Sequence, residues 1–336
     1  MPSPVAIFVY NRLGNTKATI THLMESFLAA ETDVYVFSDG GKDNKSWKEV
    51  NAVRDYLHQV EQQVADSHNL SDNEEQPIFK SFTIIERPEN FYLERNITEG
   101  IEYVLQRHDT IIVLEDDICV SEFYLEYMNT AFQLYRDDRK VMHVAGFSNL
   151  DLITDHPSLL VSDKETDAAD ETYFTPHMSG WGWGTWRDRW QTYFVHYQTE
   201  DEALQGLSDA DRQNIQYGGV FPCLRSLKKR PIPWDICWEI AIYKAGGLCL
   251  TPAHTLVRNI GLTRGTHFSS INNSLISWFE FDREPLDRRI RMFHRDAEVN
   301  PEIEQLFKEA IRDWGIRYTP FGKVLRRLKH LLFSDK

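Results

Sequence analysis

Short apolar runs alternate with amphipathic stretches along the first half of the chain. In the run Val5–Tyr10 every residue is apolar, which is typical of a strand buried on both faces. The stretch Asn96–Arg107 repeats its apolar residues with a helical period, so that Ile97 and Ile101 share one face. Strands and helices that alternate in this way predict an α/β fold with crossover helices on a parallel sheet.

The same pattern predicts the individual elements. Strands are predicted at 5–10, 33–38, 82–86, 110–114 and 141–145, with helices at 17–30, 47–64, 96–107 and 123–135. The polar stretch 65–76 is expected to be a surface loop, and Ser121 is expected to cap the helix that follows it. Later in the chain, helices are predicted at 201–217 and 235–245, and a strand at 248–251.

Changes in composition divide the chain into four parts. Residues 1–150 carry the α/β pattern, and residues 151–172 are acidic and aperiodic, which predicts an irregular connection. Residues 173–320 form a second half that begins with a concentration of tryptophan. Residues 321–336 are basic and amphipathic and are predicted to form a C-terminal helix.

Charge and composition exclude several classes of protein. The 336 residues include 51 Asp and Glu against 37 Lys and Arg, so a net charge of −14 would repel nucleic-acid phosphates. No apolar run approaches the ~20 residues of a membrane-spanning helix, and the N-terminus lacks a signal-peptide pattern, which predicts a cytoplasmic protein. The cysteines form no CxxC pair and are expected to be core thiols: Cys119, Cys223, Cys237 and Cys249.

Three consecutive acids follow the clearest strand of the sequence. Glu115, Asp116 and Asp117 come directly after four apolar residues, at the end of a strand where open α/β sheets bind their ligands. Because three ionised carboxylates repel one another, a hard divalent cation shared with substrate phosphates would stabilise them. The alternative is a solvated acidic loop.

This stretch resembles the metal-binding motif of the GT-A glycosyltransferases, in the Glu-Asp-Asp form of the N-acetylglucosaminyltransferase I-like group and its bacterial relatives. Residues 8–12, 37–41 and 123–127 resemble further segments of that group in the same order. The resemblance covers residues 4–268. It implies an α/β GT-A fold, in which a Rossmann-like half that binds the nucleotide-sugar shares a mixed central sheet with an acceptor-facing half.

The resemblance also implies how the acids act. Asp117 would be the direct ligand of Mn²⁺ or Mg²⁺, and Glu115 and Asp116 would contact the ribose and the surroundings of the metal. The cation would stabilise a leaving nucleoside diphosphate as the glycosidic bond breaks.

Three more residues of the first half acquire nucleotide-binding roles from the resemblance. Arg12 would place a positive charge beside a phosphate, Asp39 would accept a hydrogen bond from a uracil base, and Asn96 would contact the nucleotide. The alternatives are a surface salt bridge for Arg12, a turn residue at Asp39 and a helix cap at Asn96.

Tryptophan and glycine are concentrated at 179–186. Glycine lets the backbone approach a ligand closely, and aromatic faces pack against sugar rings. The segment resembles the glycine-aromatic loop of the same family, which implies that Trp181, Gly182 and Trp183 contact the sugar or the acceptor. The alternative is a tryptophan-rich core junction between the two halves.

A candidate catalytic base follows at a predicted helix start. Asp235 lies between Trp234 and Trp238, and burial beside indoles would raise its pKa and make it a stronger base. By resemblance, Asp235 would take the proton of the acceptor hydroxyl in an inverting transfer, with Glu239 as the alternate. The competing role for Asp235 is a helix N-cap.

Two cationic segments complete the set of candidates. The loop 259–267 resembles one that closes over the diphosphate, so His267 is a candidate metal ligand and Arg264 a candidate contact to the substrate. Residues 321–333 interleave leucines with lysine and arginine, which suits peripheral contact with the inner face of an anionic membrane, or else a helix docked on the core.

The sequence therefore predicts a metal-dependent, inverting glycosyltransferase. Its donor would be a UDP-sugar, with N-acetylglucosamine favoured by resemblance alone, and its acceptor a glycan or lipid-linked saccharide in bacterial surface polysaccharide synthesis. Two alternatives are a sugar-phosphate nucleotidyltransferase and a non-catalytic carbohydrate-binding protein. The first needs a glycine-rich basic loop after the first strand, which residues 11–15 do not supply.

Overall fold

A mixed β-sheet forms the centre of the computed structural model, which describes residues 1–69, 77–148, 150, 171–219, 222–261, 285, 287–306 and 308–309. The strands are β1 (Val5–Val9), β2 (Asp33–Ser38), β3 (Ser81–Glu86), β4 (Thr110–Glu115), β5 (Ile118–Val120), β6 (Val141–Ala145), β7 (Thr172–Thr175), β8 (Trp183–Trp186), β9 (Leu248–Pro252) and β10 (Val257–Asn259). The α-helices are α1 (Leu13–Met24), α2 (Asn44–Ser67), α3 (Tyr92–Leu105), α4 (Tyr124–Leu134), α5 (Arg187–Tyr193), α6 (Glu200–Leu204), α7 (Asp209–Ile215) and α8 (Trp234–Lys244), and short 3₁₀ helices span Ala29–Glu31 and Cys223–Lys228.

Within the described residues, eight strands form one sheet in the order β3-β2-β1-β4-β8-β6-β9-β7, and β5 pairs with β10 in a separate sheet. Strands β3, β2, β1 and β4 are parallel neighbours connected through α1, α2 and α3. Strand β8 runs antiparallel to both β4 and β6. The predicted α/β class, a Rossmann-like half with a mixed central sheet, is confirmed, and both halves of the chain contribute to that sheet.

Local sequence explains the main elements. All five residues of β1 are buried, as expected for an apolar strand covered on both faces. Helix α2 buries Val50, Val53, Leu57 and others at helical spacing, and its first turn is closed by a capping box between Asp43 and Ser46.

Several predicted boundaries are wrong. Helix α3 begins at Tyr92, so Asn96 lies inside it and does not cap it. Ser121 does not cap α4, whose N-cap is Phe123, and the buried Ser121 hydroxyl has no hydrogen-bond partner among the described residues. Helix α2 continues to Ser67, into the stretch predicted as a loop.

The second half also departs from the prediction. The helix predicted at 201–217 is divided into α6 and α7, because each helix has its own capping box and Gly206 between them adopts a φ of +81°. The connection predicted at 151–172 lies outside the described residues except for its last two, where β7 begins at Thr172. The predicted helix at 321–336 lies wholly outside them.

The four thiols are unpaired, and Cys119, Cys237 and Cys249 are buried in the core while Cys223 is half-buried. Among the described helices, none combines the length and the apolar character needed to cross a bilayer.

A neutral histidine lies in the core beneath the second half. His143 on β6 is fully buried and its ring stacks on Trp183, with 5.1 Å between the ring centres. The indole N–H of Trp238 donates to Nδ1 of His143 (3.3 Å), and Nε2 lies 3.1 Å from the Ser179 carbonyl oxygen. This arrangement places the single proton on Nε2, and burial lowers the pKa of His143 to about 3.

His143 should make the protein less stable as the pH falls from 7 to 5. The unfolded chain, with an ordinary histidine pKa of 6.5, takes up a proton that the folded chain excludes, which lowers the free energy of unfolding by about 2 kcal/mol at pH 5. In His143→Gln this loss should be smaller by about the same amount, as measured by urea unfolding at both pH values. The exposed His22→Gln serves as control, and identical pH dependence in wild type and His143→Gln would refute the assignment.

Candidate functional site

The three acids and Arg12 meet at the carboxyl edge of the sheet. In the parallel pairing of β1 with β4, Phe8 lies opposite Glu115, so the residues that follow both strands leave the sheet side by side. The Arg12 guanidinium pairs with Asp116 through Nη2 and, at 3.3 Å, through Nε. Its Nη2 also lies 2.9 Å from Oδ2 of Asp117. Arg12 therefore bridges two of the three predicted acids.

The carboxyls at this edge outnumber the arginine that pairs with them, Arg12. Burial raises the pKa of Asp116 to about 6, although Arg12 opposes the shift. Burial, and then the charges of Asp117 and Asp116, hold the pKa of Glu115 well above its usual range. Burial alone would lower the pKa of Arg12. The charges and hydrogen bonds of Asp116 and Asp117 raise that pKa by more than burial lowers it, so Arg12 remains charged. A second cation would therefore be bound favourably here.

The side chains at this edge could supply only part of the ligands of a metal ion. They therefore suit a metal that takes most of its ligands from a substrate. The described residues contain no group of three or more His, Cys, Asp or Glu side chains arranged to hold a metal ion by themselves. Asp117 nevertheless offers a carboxylate beside Arg12, on a side chain that is 13% exposed. Mg²⁺ and similar ions are commonly held by one or two carboxylates together with phosphates and water. The residues present therefore fit a metal–diphosphate pair better than a metal alone.

The backbone at Gly261 closes over Asp117. The Ile260 N–H donates to the Asp117 carbonyl oxygen (2.9 Å), and the Asn259 side chain accepts from the Gly261 N–H (2.8 Å). A methyl group on residue 261 would overlap the Asp117 carboxylate. Glycine is therefore required for this close approach, a role that the sequence did not indicate. The chain then continues to Arg264 and His267, both of which lie outside the described residues.

Helix α8 brings Asp235 towards the acids. Asp235 is the second residue of the helix and not its N-cap, which is Pro233. The charge of Asp235 contributes to the raised pKa of Glu115, which places the two carboxyls within electrostatic range of one another. Burial raises the pKa of Asp235 itself, and the charge of Glu94, in the first turn of α3, adds to the shift.

Glu239, one turn beyond Asp235, is already bound by its neighbours. Its Oε1 lies 2.7 Å from Nδ1 of His177, and its Oε2 accepts from the Met178 N–H at 2.8 Å. The carboxylate is buried, and the ring of Tyr217 stacks on His177. Glu239 thus fixes the segment that leads into the tryptophan-glycine stretch. A role as base would require these bonds to break, so the geometry favours Asp235.

The tryptophan-glycine segment belongs mainly to the core. Trp183 has no exposed surface and stacks on Trp234 with 5.1 Å between the ring centres, as the alternative of a tryptophan-rich core junction predicts. Gly182 has a φ of +60°, and a side chain there would strike Val257. Trp181 is half-buried against Phe147, and it alone of the three retains a surface for a ligand.

Asp39 and Asn96 both hold the backbone around the site. Oδ1 of Asp39 accepts from the N–H groups of Gly40 (2.8 Å) and Phe91 (2.7 Å), and burial raises its pKa. Asn96 is buried and accepts from Nε of Arg87 at 3.0 Å. Its amide also donates to the Phe37 carbonyl oxygen (3.4 Å), so Asn96 is engaged with its own chain, and the nucleotide contact stays a prediction.

Comparisons with known proteins give distant structural likenesses. No family model and no curated protein matches the sequence. The solved structures that match include the mannosyltransferase PcManGT from Pyrobaculum calidifontis in complex with GDP-Man and Mn²⁺, at 15% identity and a TM-score of 0.44 over 98% of this chain and 82% of that one. They also include S. aureus TarS, at 13% identity and a TM-score of 0.28 over 43% of this chain and 22% of that one. Similarities this distant do not identify a substrate.

Gly261→Ala should displace the carboxylate of Asp117. The added methyl overlaps that group, so binding of Mn²⁺ with UDP or GDP should weaken by about 10-fold or more, as measured by calorimetry. Gly14→Ala is the matched control, because nothing lies within 4 Å of a methyl group there and alanine favours its helix. Unchanged binding in Gly261→Ala would show that the close approach does not position Asp117.

Proposed function

We propose that this chain is a metal-dependent glycosyltransferase that uses a nucleotide-sugar donor. The observation that carries the proposal is the pairing of Arg12 with the acids of β4 at one sheet edge, with a second group, Asp235 from α8, close enough to interact electrostatically with Glu115. The first group suits a cation and a diphosphate, and the second suits proton removal from an acceptor. A transferase needs both within reach of one sugar carbon.

The donor side rests on Asp117 and Arg12. Asp117 would hold the cation, with Glu115 and Asp116 behind it, and the cation would supply Lewis-acid stabilisation of the leaving diphosphate. Arg12 lies 2.9 Å from Asp117, so its guanidinium is placed to contact the same diphosphate. We favour a UDP-sugar, with N-acetylglucosamine as the transferred sugar, on the earlier resemblance alone.

The acceptor side rests on Asp235. Its carboxylate would accept the proton of an acceptor hydroxyl while that oxygen bonds to the anomeric carbon and the bond to the diphosphate breaks. A single displacement of this kind inverts the configuration at that carbon. Because burial raises the pKa of Asp235, the ionised base is also a stronger one. The acceptor would be a glycan or lipid-linked saccharide of a bacterial surface polysaccharide.

The structure gives no support to the two alternatives. A nucleotidyltransferase would need a phosphate-binding loop after β1, but α1 begins at Leu13, directly after Arg12. Of the described tryptophans, Trp183, Trp190, Trp234 and Trp238 are buried in the core and provide no surface that could bind a carbohydrate.

Asp117→Asn should abolish metal-dependent nucleotide binding. The substitution keeps the shape of the side chain but removes the charge that holds the cation, so affinity for UDP in the presence of Mn²⁺ should fall by about 100-fold or more. Calorimetry with UDP and GDP, with and without Mn²⁺, measures this. Asp66→Asn, at an exposed position on α2, is the control. Retained metal-dependent binding would exclude Asp117 as the ligand.

Asp235→Asn should separate chemistry from binding. Donor affinity should stay close to that of the wild type, whereas transfer should fall by about 100-fold to 10,000-fold, the usual contribution of a general base. The measurement is release of nucleoside diphosphate from nucleotide-sugars in the presence of saccharide acceptors. Near-normal turnover would move the base elsewhere and remove the central element of the proposed mechanism.

A further inference from the structure

A cluster of four cations lies outside the candidate site, on the connection between α7 and α8. Arg225, Lys228, Lys229 and Arg230 fall within residues 225–230, with no acidic residue among them, in a chain whose net charge is −14. All four residues are exposed. Positive charge is therefore concentrated on one short surface segment of an otherwise acidic protein.

The segment that carries the cluster packs against α8. Leu224 and Leu227, in the 3₁₀ helix Cys223–Lys228, are buried in one apolar cluster with Ile236 and Ile240 of α8. Contact between buried apolar side chains fixes the 3₁₀ helix on the longer helix. The cations on its outer face, and on the turn that follows it, consequently keep a defined position beside the start of α8, where the proposed base lies.

One of the four cations has a structural role, whereas the other three pair with no acid among the described residues. Nη1 of Arg230 donates to the carbonyl oxygens of Leu227 (2.7 Å) and Lys229 (2.6 Å), which closes the turn after the 3₁₀ helix. The side chains of Arg225, Lys228 and Lys229 form no ion pair with a described residue. Neighbouring like charges that the chain does not compensate are suited to an anion from outside it.

Lys229 lies within electrostatic range of the proposed base. Burial raises the pKa of Asp235, and the charge of Lys229 opposes that shift. Strand β9, which follows α8, runs in the same direction as β6 and β4, so α8 begins on the side of the sheet where β4 ends in its acids. The cations therefore border the side of the site that an acceptor hydroxyl must approach.

We propose that Lys228 and Lys229, with Arg225 beside them, bind a phosphate group of the acceptor, so that the acceptor is a phosphate-bearing saccharide. A neutral glycan gains nothing from three unpaired cations, whereas a phosphate forms charge-assisted hydrogen bonds with lysine and arginine. A concentration of positive charge also raises the rate at which an anionic substrate arrives. This inference rests on the proposed function, since it needs a transfer reaction at Asp235.

Phosphate of this kind has two chemical sources. It belongs either to a diphosphate that joins the saccharide to a lipid, or to a phosphodiester within the saccharide chain. Both present the same anionic oxygens to the cations, and matched probes separate them.

Binding of matched probes tests the inference in the intact protein. The probes are octyl glycosides of glucose, galactose and N-acetylglucosamine, and the same sugars joined to the octyl chain through a phosphodiester or a diphosphate. Calorimetry is done with Mn²⁺ and saturating UDP or GDP, so that the donor position is already occupied. The phosphate-bearing probes should bind about 10-fold or more tightly than the neutral ones, and the preference should shrink as salt is added. Tighter binding of the diphosphate form indicates a lipid-linked acceptor, and equal or tighter binding of the phosphodiester indicates a phosphate within the saccharide.

Paired substitutions assign the preference to the cluster. Lys228→Gln with Lys229→Gln should weaken the phosphate-bearing probes by about 5-fold or more, whereas Lys228→Arg with Lys229→Arg keeps both charges and should retain most of the affinity. Neutral probes should bind equally to all these variants, which a structural role of the lysines would not produce. The matched control is Arg136→Gln with Lys140→Gln, which removes two exposed cations from the connection between α4 and β6, at the opposite edge of the sheet.

The outcomes distinguish this inference from the function on which it rests. If wild type binds UDP or GDP with Mn²⁺ but binds the phosphate-bearing probes no more tightly than the neutral ones, or not at all, the inference is refuted and the glycosyltransferase proposal stands. If the control pair loses as much affinity as the lysine pair, the preference reflects net charge alone and the inference is again refuted. If wild type binds neither nucleotide in the presence of Mn²⁺, the proposed function fails and the inference fails with it.

Discussion

Buried negative charge at the end of β4 is the constraint to which the surrounding elements respond. Strand β4 is buried along most of its length and ends at Glu115, which Asp116 and Asp117 follow directly. Water alone therefore cannot relieve the repulsion among the three carboxylates. Arg12 relieves part of it, and it reaches the acids because β1 is the parallel neighbour of β4. Burial, together with the charges of Asp117 and Asp116, raises the pKa of Glu115. The proposed function would add a cation, bound with the donor diphosphate, to the charge that Arg12 supplies.

Strand β8 and the aromatic core of the second half fix that half of the chain in position relative to these acids. Strand β8 enters the sheet between β4 and β6, so the chain that carries the tryptophans is bonded directly to the strand that carries the acids. Trp183 on β8 then stacks on Trp234, which precedes Asp235 on α8. A rigid stack of this kind places a carboxylate more reproducibly than a loop would. The stack of Trp183 on Trp234 therefore fixes the start of α8, the helix that carries the proposed base Asp235.

The sequence predicts best what depends on local pattern. Strands β1 and β4 are continuous apolar runs, because a parallel strand is covered on both faces, and both were predicted within one residue of their observed ends. Strand β8 was missed, because Trp183–Trp186 has the composition of a loop and becomes a strand only through its two antiparallel partners. The same limit explains Asn96, which is buried where its side-chain amide donates to the Phe37 carbonyl oxygen on β2, 59 residues away in the chain.

The same distinction, between features set by neighbouring residues and features set by distant contacts, applies to the residues of the candidate site. Asp117 and Asp235 were identifiable because the chemistry of a carboxylate after a buried strand, or beside indoles, is visible in neighbouring residues. Gly261 was not, because its role arises from its contact with Asp117. Asp39 combines a local and a distant feature. Its Oδ1 accepts from the backbone N–H groups of Gly40 and Phe91, whereas its Oδ2 accepts only from Asn90 among the hydrogen bonds of the described residues. Because a carboxylate oxygen has two lone pairs, Oδ2 can accept a further hydrogen bond, as the expected contact with a base requires, while Oδ1 holds the turn.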